Sequence, residues 1–118
     1  MKKTLVLTTA LCFAAGLAHA DHYANIELDT VATQDLCMAN ARTALELLAT
    51  ANGETDPDIS QGNWSTFGWD LTPLDADISI ICPEIGGMVH PFATAHTSGD
   101  SGDPGDMIEG FAEIFNKL

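Results

Sequence analysis

Apolar residues between positions 35 and 51 recur with helical spacing. On a wheel of about 100° per residue, Ala41, Ala44, Leu48 and Ala51 fall within about 40° of Cys37, flanked by Leu36, Met38, Leu45 and Leu47. Asp35, Arg42, Thr43, Glu46 and Thr50 take the opposite side, and Asn40 is the only polar side chain in the stripe. This pattern predicts an amphipathic helix with Cys37 in the middle of its inner face. Asp29, Thr30 or Thr33 can cap its start. Asn52-Gly53 can end it, because glycine accepts the left-handed conformation that follows a last helical turn.

The pattern then changes period. Residues 54–62, ETDPDISQG, are acidic and carry Pro and Gly, which reads as turn chemistry. NWSTFGWDL alternates, with Ser65, Phe67 and Trp69 on one side and Trp64, Thr66 and Gly68 on the other. DISIICP places Ile78, Ile80 and Cys82 on one side, as a strand packed on the helix requires. Cys82 would then meet Cys37 across the core. PEIGG turns the chain, and MVHPFATAH predicts a third strand. Pro91 cannot donate to a ladder, so that strand is expected at an edge or broken there. DHYANIELD, residues 21–29, alternates weakly and fits either a short strand or an irregular arm.

The last periodic segment, DMIEGFAEIFNKL, has an apolar stripe of Met107, Ile108, Phe111, Ala112, Phe115 and Leu118. Asp106 and Glu109 have N-cap and N3 spacing, while Asp103-Pro104 offers an earlier start. Lys117 complements the negative end of the helix dipole. The expected fold is α+β: a small antiparallel sheet of about three strands packed on two helices, with one disulfide.

The first twenty residues do not belong to that fold. Lys2 and Lys3 precede an apolar run from Thr4 to Leu17, and Ala18-His19-Ala20 has the small-x-small form that signal peptidase cleaves after. Residues 1–20 therefore read as a secretory signal peptide of bacterial type, and residues 21–118 as a single small exported domain, periplasmic or secreted. The apolar run is short for a membrane span, so no membrane insertion is expected after cleavage. Cys12 lacks the context of a lipoprotein signal.

Charge narrows the partners. All seventeen Asp and Glu residues lie beyond Ala20, but of the four basic residues only Arg42 and Lys117 do. Binding a phosphate backbone needs clustered Lys and Arg, so nucleic acid is not an expected partner. Cationic partners and metal ions are electrostatically permitted.

Beyond the leader, Cys37 and Cys82 form an even pair, 45 positions apart. In an oxidising compartment such a pair reads as a disulfide. A redox or thiolate-metal role has less support, because neither cysteine has a C-x-x-C neighbour.

Four local patterns carry possible chemistry. Gly99-Asp100-Ser101-Gly102 spells the setting of a serine-protease nucleophile. However, Asp103 breaks the usual continuation, and a two-barrel protease needs about twice this chain. Turn and capping chemistry accounts for these letters. Asp100, Asp103 and Asp106 recur every third residue but lack the spacing of a calcium loop. Met88 and His90 share strand parity about 7 Å apart. With His96, or with His22 beside a free Asp21 amine, they make a candidate copper or zinc set. His96 would join His90 only if the chain bends at Pro91. Finally, Trp64, Phe67 and Trp69 offer an aromatic surface. Trp64 and Trp69 differ in parity, so one is expected to face the core and the other to face out, beside an acidic rim suited to a cationic ligand.

No cofactor motif and no plausible nucleophile–base pair emerges. The leading expectation is an exported, acidic, non-enzymatic binding or accessory module of unknown ligand, without a cofactor. The alternative is a periplasmic metal-handling protein that holds copper or zinc through Met88 and His90.

Overall fold

The computed structural model describes residues 20–118, so the expected signal peptide lies, apart from Ala20, outside the described residues. The first helix, α1, runs Gln34–Ala51. Thr33 caps it, its hydroxyl accepting the Leu36 backbone N–H at 3.1 Å. At the other end Gly53 takes φ +82°, and the Glu54 N–H reaches the Ala49 carbonyl at 2.9 Å, closing the helix as the Asn-Gly pair predicts. Its buried side chains are Cys37, Ala41, Ala44, Leu45, Leu48 and Ala49, whereas Leu36 and Leu47 are about half exposed. The inner stripe is thus rotated toward Leu45 and Ala49, because this helix packs on a second helix as well as on the sheet.

That second helix, α2, spans Gly105–Phe115 and buries Met107, Ile108, Phe111, Ala112 and Phe115. It starts at the earlier of the two expected sites. Pro104 occupies the N-cap position, and Asp103 accepts the Gly105 N–H at 2.8 Å. Lys117 lies just beyond it, and Leu118 is exposed.

The sheet corrects the expectation of about three strands. Five strands, β1 His22–Glu27, β2 Asp58–Gln61, β3 Ser65–Leu71, β4 Ala76–Ile81 and β7 Phe92–Thr97, form one sheet in the order β1-β7-β4-β3-β2. Every adjacent pair is antiparallel. Two further short strands, β5 Glu84–Ile85 and β6 Met88–Val89, make a separate hairpin. Its turn is Gly86-Gly87, with φ +64° and +82°, which suits the right-handed twist of the two arms.

The extra strands escaped for physical reasons. DISQ offers one apolar residue, Ile59, because β2 is an edge strand with little to bury. β1, the arm-or-strand segment, is the opposite edge. The third expected strand is indeed broken at Pro91, yet its second half is not at an edge: β7 lies between β1 and β4. Pro91 itself is buried, and its carbonyl accepts the Leu28 N–H at 3.0 Å.

Both helices cover one face of this sheet. Ile78 and Ile80 of β4, Ala93 and Ala95 of β7, and Thr66, Gly68 and Leu71 of β3 are buried. Because two of the three inward residues of β7 are alanines, the bulk over that strand comes from α2, whose Phe111 is fully buried. Cys37 and Cys82 are joined as expected, with Cα atoms 6.1 Å apart and both residues fully buried. The crosslink ties α1 to the end of β4 at the centre of the core.

Candidate functional site

Among the described residues no element covers the other face of the sheet, and its composition follows from strand alternation. On β3 the residues opposite buried Thr66 and Gly68 are Ser65, Phe67 and Trp69. On β4 they are Asp77, Ser79 and Ile81, on β7 Phe92, Thr94 and His96, and on β1 Tyr23, Asn25 and Glu27. Register assembles them into rows. Tyr23 pairs with His96, and His96 with Asp77. Asn25, Thr94, Ser79, Phe67 and Ser60 form the next row. Asp58 is the register partner of Trp69, so it stands on the same side.

A depression of about 320 Å³ lies across these rows, lined chiefly by Tyr23, Phe67, Trp69, Asp77, Thr94 and His96. One wall is aromatic. Phe67 and Trp69 stack with ring centres 5.5 Å apart and planes within 16° of parallel. The Trp69 indole N–H donates to the Ser60 hydroxyl at 2.9 Å, which fixes the ring orientation. A bulge between Gly68 and Leu71 places Asp70 at φ +49°, and the Asp77 carboxylate accepts its N–H at 3.0 Å. Such bulges bend a strand and re-aim its side chains, here beside Trp69.

The other wall is built on His96. Its Nε2 lies 3.2 Å from an Asp21 carboxylate oxygen, its Nδ1 3.7 Å from Asp77, and its ring centre 4.7 Å from that of Tyr23. Asp21 also accepts the Gly99 N–H at 3.3 Å. The hydrogen bond from His96, followed by that from Gly99, holds the Asp21 carboxyl below its ordinary range. Ring and carboxylates thus pin the N-terminal end of β1 to the end of β7.

The sequence-derived candidates distribute unevenly over this structure. Trp69 and His96 reach the open face. Trp64 does not, because it precedes β3. The expectation that one tryptophan faces the core is corrected: Trp64 is 50% and Trp69 39% exposed. Residue 64 lies beyond the strand, where parity no longer buries a side chain.

Met88 and His90 are both exposed on either side of buried Val89, at the opposite end of β7 from His96. His22 has the parity of buried Thr97 and so stands on the other side of β1 from His96. The structure therefore does not bring Met88, His90, His96 and His22 together. Among the described residues no group of three or more His, Cys, Asp or Glu is placed to hold a metal ion.

Ser101 lies in the loop before α2, where its N–H closes a turn onto the Ser98 carbonyl. The Thr97 hydroxyl donates to the Gly102 carbonyl in the same loop, while His96 turns to Asp21 and Asp77.

Tyr23 and Asp77 are the site residues that sequence reasoning missed. Their signal, alternation on β1 and β4, was present, but only strand pairing shows that the outward residues of nonadjacent segments converge. Among the described residues no helix is long and apolar enough to cross a membrane. The architecture is a helix-backed antiparallel sheet with one bare, aromatic face. Comparison with known proteins finds no family model, no curated protein and no solved structure that matches the chain.

Proposed function

We propose that this protein is an exported, acidic, non-enzymatic binding module whose recognition surface is the uncovered face of the sheet. One observation carries the reading: Tyr23, Phe67, Trp69 and His96 converge from three strands around a single open depression. A small domain can hide four such rings under its helices; here they stand outside, with Tyr23 66% exposed. Export is supported by the leader-like first twenty residues and by a fully buried disulfide, which suits an oxidising compartment.

The test is residue-resolved ligand mapping. A panel of small amines, blocked amino acids and sugars would be titrated into the isotope-labelled protein and followed by amide NMR. Perturbations are expected at residues 23, 67–69, 77–79 and 94–96, lost in Trp69→Ala and retained in Trp64→Ala. Mass spectrometry of the recovered ligand should show it unchanged. Ligands that map elsewhere, or that are converted, would remove the proposal.

A further inference from the structure

The open face has a strongly biased charge. Asp58, Asp77 and Glu27 stand on it, and Asp21 closes one end. The only Lys and Arg among the described residues are elsewhere. Arg42 lies on α1, where it pairs with Glu46 at 3.1 Å, and Lys117 lies past the end of α2. Among the described residues no fixed positive charge therefore balances the carboxylates around the aromatic platform, and the complementary occupant is a cation.

The geometry distinguishes among cations. Phe67 and Trp69 stack with their planes within 16° of parallel, and Trp69 is the more exposed of the two. Carboxylates flank that platform on both neighbouring strands, Asp77 on β4 and Asp58 on β2. A planar guanidinium can lie flat on an aromatic surface while its N–H groups point outward in its own plane toward carboxylates. An ammonium is a compact point charge without that shape. Asp77 already accepts the Asp70 N–H, but a carboxylate has about four lone-pair sites, so it can accept from a ligand as well.

The same charge argues against free arginine, whose own carboxylate would meet these acids. Within a peptide that carboxylate is gone. The adjacent row of Asn25, Thr94, Ser79 and Ser60 then offers hydrogen-bonding groups to a backbone.

We propose that the open face binds an arginine side chain presented on a peptide segment of a cationic protein partner, with the guanidinium laid against the exposed Trp69 ring of the Phe67–Trp69 stack and paired with Asp77 and Asp58. This assignment rests on the reading of the bare face as the recognition surface.

Calorimetric titration with acetyl-Gly-Arg-Gly-amide tests it, beside the lysine peptide, the citrulline peptide and free arginine. The arginine peptide should bind saturably and most tightly, and added salt should weaken it. Losing the stacked ring in Trp69→Ala should weaken it roughly 3- to 30-fold. Asp77→Asn, which keeps the acceptor for the Asp70 N–H, and Asp58→Asn should each weaken it by about tenfold, as expected for a charge-assisted hydrogen bond. Trp64→Ala should leave it unchanged. Unchanged melting curves would show that the variants remain folded.

Citrulline binding as tight as arginine, or binding indifferent to both aspartate substitutions, overturns the arginine assignment. If that binding still disappears in Trp69→Ala, the recognition face itself survives. If Trp69→Ala changes nothing for any probe, both readings fall together. Absence of saturable arginine-peptide binding overturns the assignment as well.

Discussion

The Cys37–Cys82 crosslink gives the sharpest stability prediction. It joins residues 45 apart, and the enclosed chain contains nearly all of α1 together with β2, β3 and β4. In the chain-entropy account, closing a loop of that length removes about 4 kcal/mol of freedom from the unfolded chain. Replacing both cysteines with alanine also removes two fully buried sulfur atoms, adding roughly 1–2 kcal/mol of lost burial. The sum is a large share of the 5–15 kcal/mol typical of a whole domain.

For a chain of this size each kcal/mol moves Tm by about 4–8 °C, so the double variant should melt at least about 20 °C lower. Differential scanning calorimetry of the oxidised protein and of Cys37→Ala/Cys82→Ala measures the difference. Because both sulfurs are sealed in the core, reductant added to the native protein should act slowly and denaturant should accelerate it. A melting difference under about 5 °C would refute the assignment of stability to this crosslink.

Four further outcomes follow from the structure. A methyl group at Gly68 would stand 2.9 Å from a Leu71 methyl and 3.1 Å from a Leu45 methyl, so Gly68→Ala should destabilise by about 1–3 kcal/mol in urea titrations. At Gly110 the same methyl meets Leu48 at an ordinary 3.8 Å inside α2, so Gly110→Ala should stabilise by about 0.5–1 kcal/mol and raise Tm. Thr33→Ala removes the cap of α1 and should cost about 1 kcal/mol. Asp21 has its pKa lowered by the His96 and Gly99 hydrogen bonds, so its stabilisation is complete above the ordinary carboxylate range and fades as pH falls through it. The Tm gap between the parent and Asp21→Asn should therefore be widest near neutral pH and shrink in acid; a gap independent of pH would contradict this.

Much of the buried half of the molecule could be read from residue order. Period 3.6 located both helices, and period 2 put Ile78, Ile80 and Cys82 on one side, which led to the disulfide. These are places where local pattern and tertiary burial agree. Edge strands broke that agreement. DISQ in β2 is held by one neighbour and buries little, so it carries almost no hydrophobic signature. The open face was harder still. Phe67 and Trp69 were recognisable as neighbours along one strand, but Tyr23 and His96 lie 73 positions apart and meet only through the β1–β7 register. The candidate metal set failed to assemble for the complementary reason. Spacing alone placed Met88 and His90 side by side, and the strand does break at Pro91, yet β7 then runs straight on from Phe92 and carries His96 to its opposite end.

The two faces of β3 are mechanically coupled, and this ties the proposed recognition to the core. Phe67 and Trp69 flank Gly68, whose missing side chain leaves the room that Leu45 of α1 occupies. A methyl added at Gly68 meets Leu71 of the same strand at 2.9 Å and Leu45 at 3.1 Å, and where those side chains do not give way β3 is pushed outward and carries both platform rings away from Asp77 on β4. Leu45 belongs to the same helix as Cys37, so the crosslink to Cys82 also limits how far α1 can retreat. Gly68→Ala should for this reason weaken ligand binding at the open face even where the protein is still fully folded, whereas Gly110→Ala, where α2 faces Leu48 of α1, should change stability alone. If Gly68→Ala bound the arginine peptide as well as the parent at a temperature well below its own Tm, the platform would not depend on the helix behind it.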